Sequence, residues 1–369
     1  MEQKQGLFNS ALDRINAGKD GLNEGLYMGF PRMTKYVPNI QRGTYYLLGG
    51  NTGAGKSAFA DEAFLFNPYE QLLSESIDAL KNFKVIYYSF EIDKVAKIIK
   101  AIARRIYLEF GVLVDVNYIL SRGKNRINTE LYEKVVGLRE YFEPLEDILE
   151  IFDLSKSPSE IKTFLRTLAK ERGKITYRDW VDDRNIKHKE FVNYKPHNPE
   201  EYVEIVIDHI ALGTEEDGQD TKKMIDSISQ LMVPVRNNYN HIPIIIQQLT
   251  FESSSANRMK SSTKEPLLAD FGDSKYTTRD ANIVMSLFNP FTFEMPEYKN
   301  YDISRLRDRF RAVKILKNRD GEANKVLGMQ FIGEVGNFTE MPKANDIEAL
   351  EEKYEEIQDL DKLKIKQNE

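Results

Sequence analysis

The sequence predicts an α/β domain with a mostly parallel central sheet flanked by helices, and three observations carry that reading. Short apolar runs rich in Val, Ile and Tyr recur at residues 44–48, 85–90, 149–154, 203–208, 242–247, 283–287 and 312–317. Helical periodicity lies between several of them, and strands alternating with helices require right-handed crossovers that cover a parallel sheet on both faces. The first run leads into a glycine-rich turn, Gly50-Asn51-Thr52-Gly53-Ala54-Gly55-Lys56-Ser57, with a helix predicted from about Lys56.

The elements follow in chain order. Residues 5–17 place Leu7, Phe8, Leu12 and Ile15 at helical spacing with Gly18 as a stop, so a short amphipathic helix precedes the main domain. A helix this short is marginal alone and must pack on something. Ser157-Pro158-Ser159-Glu160 fits a helix start, with Ser157 as cap, Pro158 in the first turn and Glu160 reaching back. Residues 67–83, 111–147 and 173–200 are polar or turn-rich and read as insertions into the core. The last, with 174–177 and 191–194 around a charged middle, has the pattern of a β-hairpin. At the far end Ile347, Leu350, Tyr354, Ile357 and Leu360 fall at heptad-like spacing on an acidic background; so few heptads favour a terminal helix with one docked face over a coiled coil. There is no internal repeat. The expected organisation is an N-terminal helical region at 1–28, a main domain at 29–341 and an acidic helical tail at 342–369.

Composition narrows the function classes. With 369 residues, 41% hydrophobic and 30% charged, the chain is long enough and apolar enough to bury a core. Zero cysteines exclude a disulfide framework, a thiolate metal site and a cysteine nucleophile, and four scattered histidines argue against a His-rich metal site. No apolar run approaches eighteen residues, and the first residues lack a secretory signal, so a cytoplasmic protein without a membrane partner is expected. The net charge of −6 is concentrated after residue 344, where −5 resides, leaving the body close to neutral. Bulk charge therefore says nothing for or against a polyanion partner, and local motifs decide.

Residues 50–57 match G-x-x-x-x-G-K-[ST] in full, a pattern that arises by chance in roughly one chain in a hundred of this length. The loop's backbone N–H groups are suited to cradle phosphate, Lys56 to reach the β/γ oxygens of ATP, and Ser57 to hold Mg²⁺. Residues 204–208 form an apolar run ending in Asp208, the form of a second Mg²⁺-binding carboxylate at a strand's carboxyl end, although such an Asp alone also marks ordinary turns. Glu91 follows the 85–90 run and fits a base that orients and deprotonates an attacking water, or a helix-capping surface residue. Gln247-Gln248 ends the 242–247 run; an amide there is placed to feel a γ-phosphate, or is a hydrogen-bonded loop amide. Lys317-x-Arg319 puts two cations on one strand face, able to neutralise transition-state charge, or simply solvated.

Together these blocks resemble DnaB-type replicative helicases. Residues 50–57, Ser89-Phe90-Glu91-Ile92, 205–208, Gln247-Gln248-Leu249 and Lys317-Asn318-Arg319-Asp320-Gly321 occur in that family's order and spacing, over about residues 29–341. The resemblance implies a RecA-like P-loop NTPase core, Glu91 as catalytic base, Gln248 as the γ-phosphate sensor, and Lys317 and Arg319 acting in trans on the neighbouring subunit's nucleotide. Residues 266–274 and 280–284 are similar to the family's DNA-loop block, with Gly272 where the family has Arg and Lys275 where it has Gly. Ser274 and Lys275 therefore join Arg258, Lys260 and Lys264 of the Ser-rich 250–264 loop as candidate contacts to single-stranded DNA. The 5–17 helix looks like the linker helix that docks on a neighbouring motor. No domain of the primase-recruiting kind precedes it, an arrangement that resembles phage-encoded helicases.

The function these residues and the resemblance imply is an ATP-hydrolysing, hexameric replicative helicase that translocates on single-stranded DNA, 5′ to 3′, with a primase or helicase loader as partner. A RecA/RadA-like recombinase or annealing mediator shares most of the motifs but typically has Lys-x-Lys at the trans position. A KaiC-like nucleotide switch would hydrolyse slowly and ignore DNA.

Overall fold

The structure is a computed structural model that describes residues 6–250, 255–260, 264–272 and 274–360. Parts of the Ser-rich loop (251–254 and 261–263), Asp273 and the ends of the chain at 1–5 and 361–369 lie outside the described residues. In chain order the strands are β1 (Tyr46–Gly50), β2 (Phe83–Ser89), β3 (Leu149–Phe152), β4 (Gly173–Val181), β5 (Lys187–Pro196), β6 (Tyr202–Asp208), β7 (Ile242–Gln248), β8 (Ile283–Phe288), β9 (Glu297–Tyr298), β10 (Tyr301–Asp302), β11 (Phe310–Asn318), β12 (Lys325–Ile332) and β13 (Asn337–Glu340).

Among the described residues the main sheet has nine strands in the order β13-β12-β11-β8-β1-β7-β6-β2-β3. From β8 to β3 every pairing is parallel, while β11, β12 and β13 extend it antiparallel. Each of the seven apolar runs forms a strand of this sheet, with boundaries shifted by up to two residues. The runs are continuous because both faces are covered: Ile244, Ile245 and Ile246 are all fully buried. Alternate residues feed opposite layers. Tyr46, Leu48, Tyr87, Val206 and Ile246 point to one core; Tyr45, Leu47, Ile86, Ile207 and Ile245 point to the other.

β12 and β13 were not legible in the sequence, because Gly328 interrupts the apolar run of β12. The glycine is required there, since a Cβ would approach the Tyr301 ring to 2.8 Å. The stretches 67–83 and 111–147, expected to be turn-rich, instead carry the helices Asn67–Glu75, Thr129–Gly137 and Arg139–Ile148. Leu138, Tyr141, Phe142, Leu145 and Ile148 are buried at helical spacing, so the polar composition masked an amphipathic face. At 173–200 the expected hairpin forms, β4 pairing antiparallel with β5 from Gly173↔Pro196 to Val181↔Lys187.

The helix Pro158–Arg172 opens with the expected capping box: Glu160 N donates to Ser157 Oγ at 3.3 Å and Ser157 N donates to the Glu160 carboxylate at 2.8 Å. At the C-terminal end the helix Ile347–Asp359 docks one face, burying Leu350, Tyr354 and Ile357. The N-terminal helix Leu7–Lys19 forms as expected, but Leu7, Phe8, Leu12 and Ile15 stay exposed. No described helix is long and apolar enough to cross a membrane.

Candidate active site

The parallel strands aim their carboxyl ends at one edge of the sheet, and the loops there enclose a cavity of about 360 Å³. Its floor is the turn between β1 and the helix Lys56–Asp61. Gly55 closes this turn at φ 89°, where a Cβ would also meet the Phe338 ring at 3.0 Å, so glycine is needed on both counts. The turn leaves the first N–H groups of the helix pointing into the cavity, an arrangement that favours an anion.

Thr52, Gly53, Gly55, Lys56, Ser57, Glu91, Asp208 and Gln248 all line this space. Lys56 Nζ donates to the Asn51 carbonyl at 3.1 Å, folding back along the turn. Its burial pulls the ammonium below the usual lysine range, partly offset by Asp208 and Glu91, so an anionic ligand would restore charge balance to a cation short of partners. The Ser57 hydroxyl donates to Asp208 Oδ1 at 2.9 Å, and the Tyr87 hydroxyl donates to Oδ2 at 3.3 Å. Burial raises the Asp208 carboxyl above its ordinary value despite the nearby Lys97 ammonium. A hydroxyl beside a buried carboxylate short of positive charge is an oxygen pair that fits Mg²⁺. No cluster of three or more His, Asp or Glu capable of holding a metal occurs among the described residues, so Ser57 and Asp208 would supply only part of a metal's shell.

Glu91 lies just past the end of β2 and is exposed to the cavity. Gln248, at the end of β7, donates from Nε2 to Thr52 Oγ1 at 2.7 Å, while its Oε1 lies 3.2 Å from His209 Nε2. The arrangement offers donors for a phosphate chain, a carboxylate for a water and an amide that touches the phosphate turn.

Several participants were missed by sequence reasoning. Asp61 sits one turn beyond Ser57 and holds Lys97 at 2.8 Å; the i, i+4 spacing was the available signal. Arg311, 1% exposed, donates to the carbonyls of Ala54 and Gly53 at 3.2 and 3.4 Å, bracing the turn from behind. The β12–β13 turn adds Gly333, Glu334, Val335 and Gly336 to the cavity wall. His209, next to Asp208, was also passed over.

The remaining candidates lie elsewhere. Lys317 and Arg319 are not among the cavity residues. The strand β11 ends at Asn318 with a bulge before Lys317, so the pair does not share a regular strand face; instead both donate to the carbonyl oxygen of Arg279, at 2.9 and 2.8 Å. Arg258 is held by Asp270 at 2.5 Å and by the Glu265 carbonyl, and Lys264 donates to the Phe293 carbonyl at 3.1 Å. Ser274 is buried, capping the helix Lys275–Asp280 and bonded to Asp226, so it faces the protein and not the surface expected for a DNA contact. Lys260 and Lys275 are exposed.

The model of the family described as DnaB-like helicase C terminal domain matches residues 153–340. Among solved structures, an ATPase domain superposes with a TM-score of 0.64 at 18% identity, covering 92% of this chain and 100% of that one. A structure of a DnaB-like replicative helicase and its interactions with primase superposes with a TM-score of 0.62 at 19% identity, covering 91% of this chain and 67% of that one. At such identities the likeness is one of fold: the mostly parallel, helix-flanked sheet is RecA-like. No curated protein matches the sequence.

Proposed function

We propose, from the premise that this chain belongs to the DnaB-like helicase C-terminal domain family, that it is the ATP-hydrolysing motor of a replicative DNA helicase working as a hexameric ring on single-stranded DNA. The observation that carries this reading is the convergence of Lys56, Ser57, Glu91, Asp208 and Gln248 on one cavity floored by a phosphate-binding turn.

Each residue has a distinct task. The turn and Lys56 bind the phosphate chain of ATP and place its terminal phosphoryl group. Glu91 orients a water against it and accepts the proton. Gln248, already touching the turn at Thr52, registers whether that phosphoryl group is present. Ser57 and Asp208 would hold Mg²⁺, which would supply positive charge against the phosphate chain.

Among the cavity's other cations, Lys97 is paired with Asp61 and Arg104 with Glu62 and Glu70. Lys317 and Arg319 do not face the cavity of their own chain, which supports their supply to the cavity of a neighbouring copy. The uncovered apolar side chains of the helix Leu7–Lys19 supply a second reason for a neighbour. In such a ring Lys260 and Lys275 are exposed candidates for contact with a DNA backbone, with Arg258 and Lys264 holding the loop that presents Lys260. A primase or helicase loader as partner, travel from 5′ to 3′ and residence in the cytoplasm belong to the same proposal.

Strand displacement tests it, on one forked duplex with only a 5′ single-stranded tail and one with only a 3′ tail, in ATP and Mg²⁺. Unwinding from the 5′ tail alone, lost in Glu91→Gln, is the expected result. DNA-stimulated hydrolysis with filaments in place of rings and no displacement would move the assignment to a recombinase.

A further inference from the structure

We propose that His209 is a positioning residue for Gln248, fixing which end of that amide faces the phosphate turn; this deepens the nucleotide-site reading above and rests on it. Because β7 lies between β1 and β6, the residues at or just past their carboxyl ends stand in a row: Thr52, Gln248, His209. Gln248 Nε2 lies 2.7 Å from Thr52 Oγ1, and Gln248 Oε1 lies 3.2 Å from His209 Nε2. All three line the same cavity as Lys56, Glu91 and Asp208.

A carboxamide is nearly symmetric in shape, so its partners alone decide which end donates. The Thr52 hydroxyl either donates or accepts, and therefore has no power to choose. His209 does choose. Its Nδ1 is buried without a partner, and a buried N–H left unpaired is costlier than a buried lone pair, so the ring proton belongs on Nε2. Nε2–H then donates to Gln248 Oε1, and the Gln248 NH₂ is turned toward the phosphate turn. A terminal phosphate oxygen arriving there meets a donor.

The backbone carries an independent mark of the same role. His209 adopts φ 64°, ψ 63°, a left-handed conformation that strains any residue with a Cβ and that glycine takes freely. Strain kept by a non-glycine residue at a strand tip beside a site fits a side chain that works there.

The test uses His209→Gly, which removes the imidazole and relieves the left-handed strain, so its thermal midpoint should equal or exceed that of the parent. Steady-state hydrolysis of ATP with single-stranded DNA is measured for the parent, His209→Gly, Gln248→Ala and the double variant. The expected result is a kcat about tenfold lower in His209→Gly with KM for ATP within about twofold, and a double variant no slower than Gln248→Ala. Unchanged kcat in His209→Gly, or the same fold-loss in the Gln248→Ala background, overturns the proposal. Lys56→Ala run alongside separates the two readings. If it still hydrolyses ATP the nucleotide site itself is misassigned; if it is inactive while the cycle is additive, only the role of His209 falls.

Discussion

The Arg311 guanidinium donates from Nε to the carbonyl oxygen of Ala54 at 3.2 Å, so a side chain rooted on β11 braces the phosphate turn rooted on β1. It is 1% exposed, lies over the Phe331 ring, and also holds Asp308. Arg311→Met keeps the apolar stem but strips the turn of its support, leaving buried carbonyls unpaired at about 1–3 kcal/mol. The expected outcome is a lower melting temperature together with at least tenfold weaker binding of a fluorescent ATP analogue. Loss of stability with unchanged affinity would show that the turn holds its shape without Arg311.

Asp208 pairs with Ser57 while its carboxyl is held above the ordinary range by burial. Asp208→Asn removes a buried charge, so the nucleotide-free protein should be at least as stable as the parent. It should lose the stabilisation given by Mg²⁺ and ATP together, which at a hundredfold excess over Kd amounts to about 2.7 kcal/mol. Thermal melts with each ligand alone and with both measure this. A variant that still responds to the pair would remove Asp208 from the metal site.

Glu204 lies on β6, fully buried, with neither carboxylate oxygen bonded. Burial raises its pKa well above the ordinary carboxylate value. The folded chain therefore holds a proton that the unfolded chain releases near pH 4.3, about the ordinary value for Glu. Stability from this group is full below that pH and falls as pH rises toward the folded value. Glu204→Gln cannot titrate and should flatten the slope, with a gain of about 1–3 kcal/mol at pH 8 that fades toward pH 4. Urea titrations at both pH values decide; an equal effect at the two would show that Glu204 is not the titrating group.

Lys317 and Arg319 meet at the Arg279 carbonyl, outside their own cavity. Arg319→Ala and Glu91→Gln should each be inactive alone. Mixed, they should recover activity, because a neighbour supplies what each lacks; about a quarter of the interfaces in a randomly mixed ring are intact in both respects. No recovery at any ratio would place Arg319 outside a shared site.

Much of the fold was readable because strands buried on both faces are predominantly apolar, as 203–208 is apart from Glu204 and Asp208 and 242–247 is up to Gln247. The turn between β1 and the helix Lys56–Asp61 was readable because Gly53 and Gly55 take the left-handed backbone that glycine tolerates. The antiparallel end of the sheet was hidden by Gly328, and the 111–147 helices by charged residues on their outer faces. Contacts between distant segments left no local signal: nothing in the run around Arg311 says that it reaches Ala54, 257 positions earlier. Ser274 misled for a related reason, since a serine that caps a helix looks in sequence like one that meets phosphate.

Beyond the phosphate turn the helix Lys56–Asp61 passes through a π-turn at Glu62–Phe66 before continuing as Asn67–Glu75. In a regular α-helix residues eight apart are out of phase by about 80°, since each residue advances about 100°. The wider π-turn absorbs roughly one residue, so Glu62 and Glu70 come back into phase as if they were seven apart. That is why one guanidinium, Arg104, reaches both, at 2.6 and 2.8 Å. The extra residue acts as a gear tooth. Removing it would leave the phosphate turn intact while rotating everything from Asn67 onward by about 100°, turning Glu70 away from Arg104 and from the Tyr141 hydroxyl that also binds it.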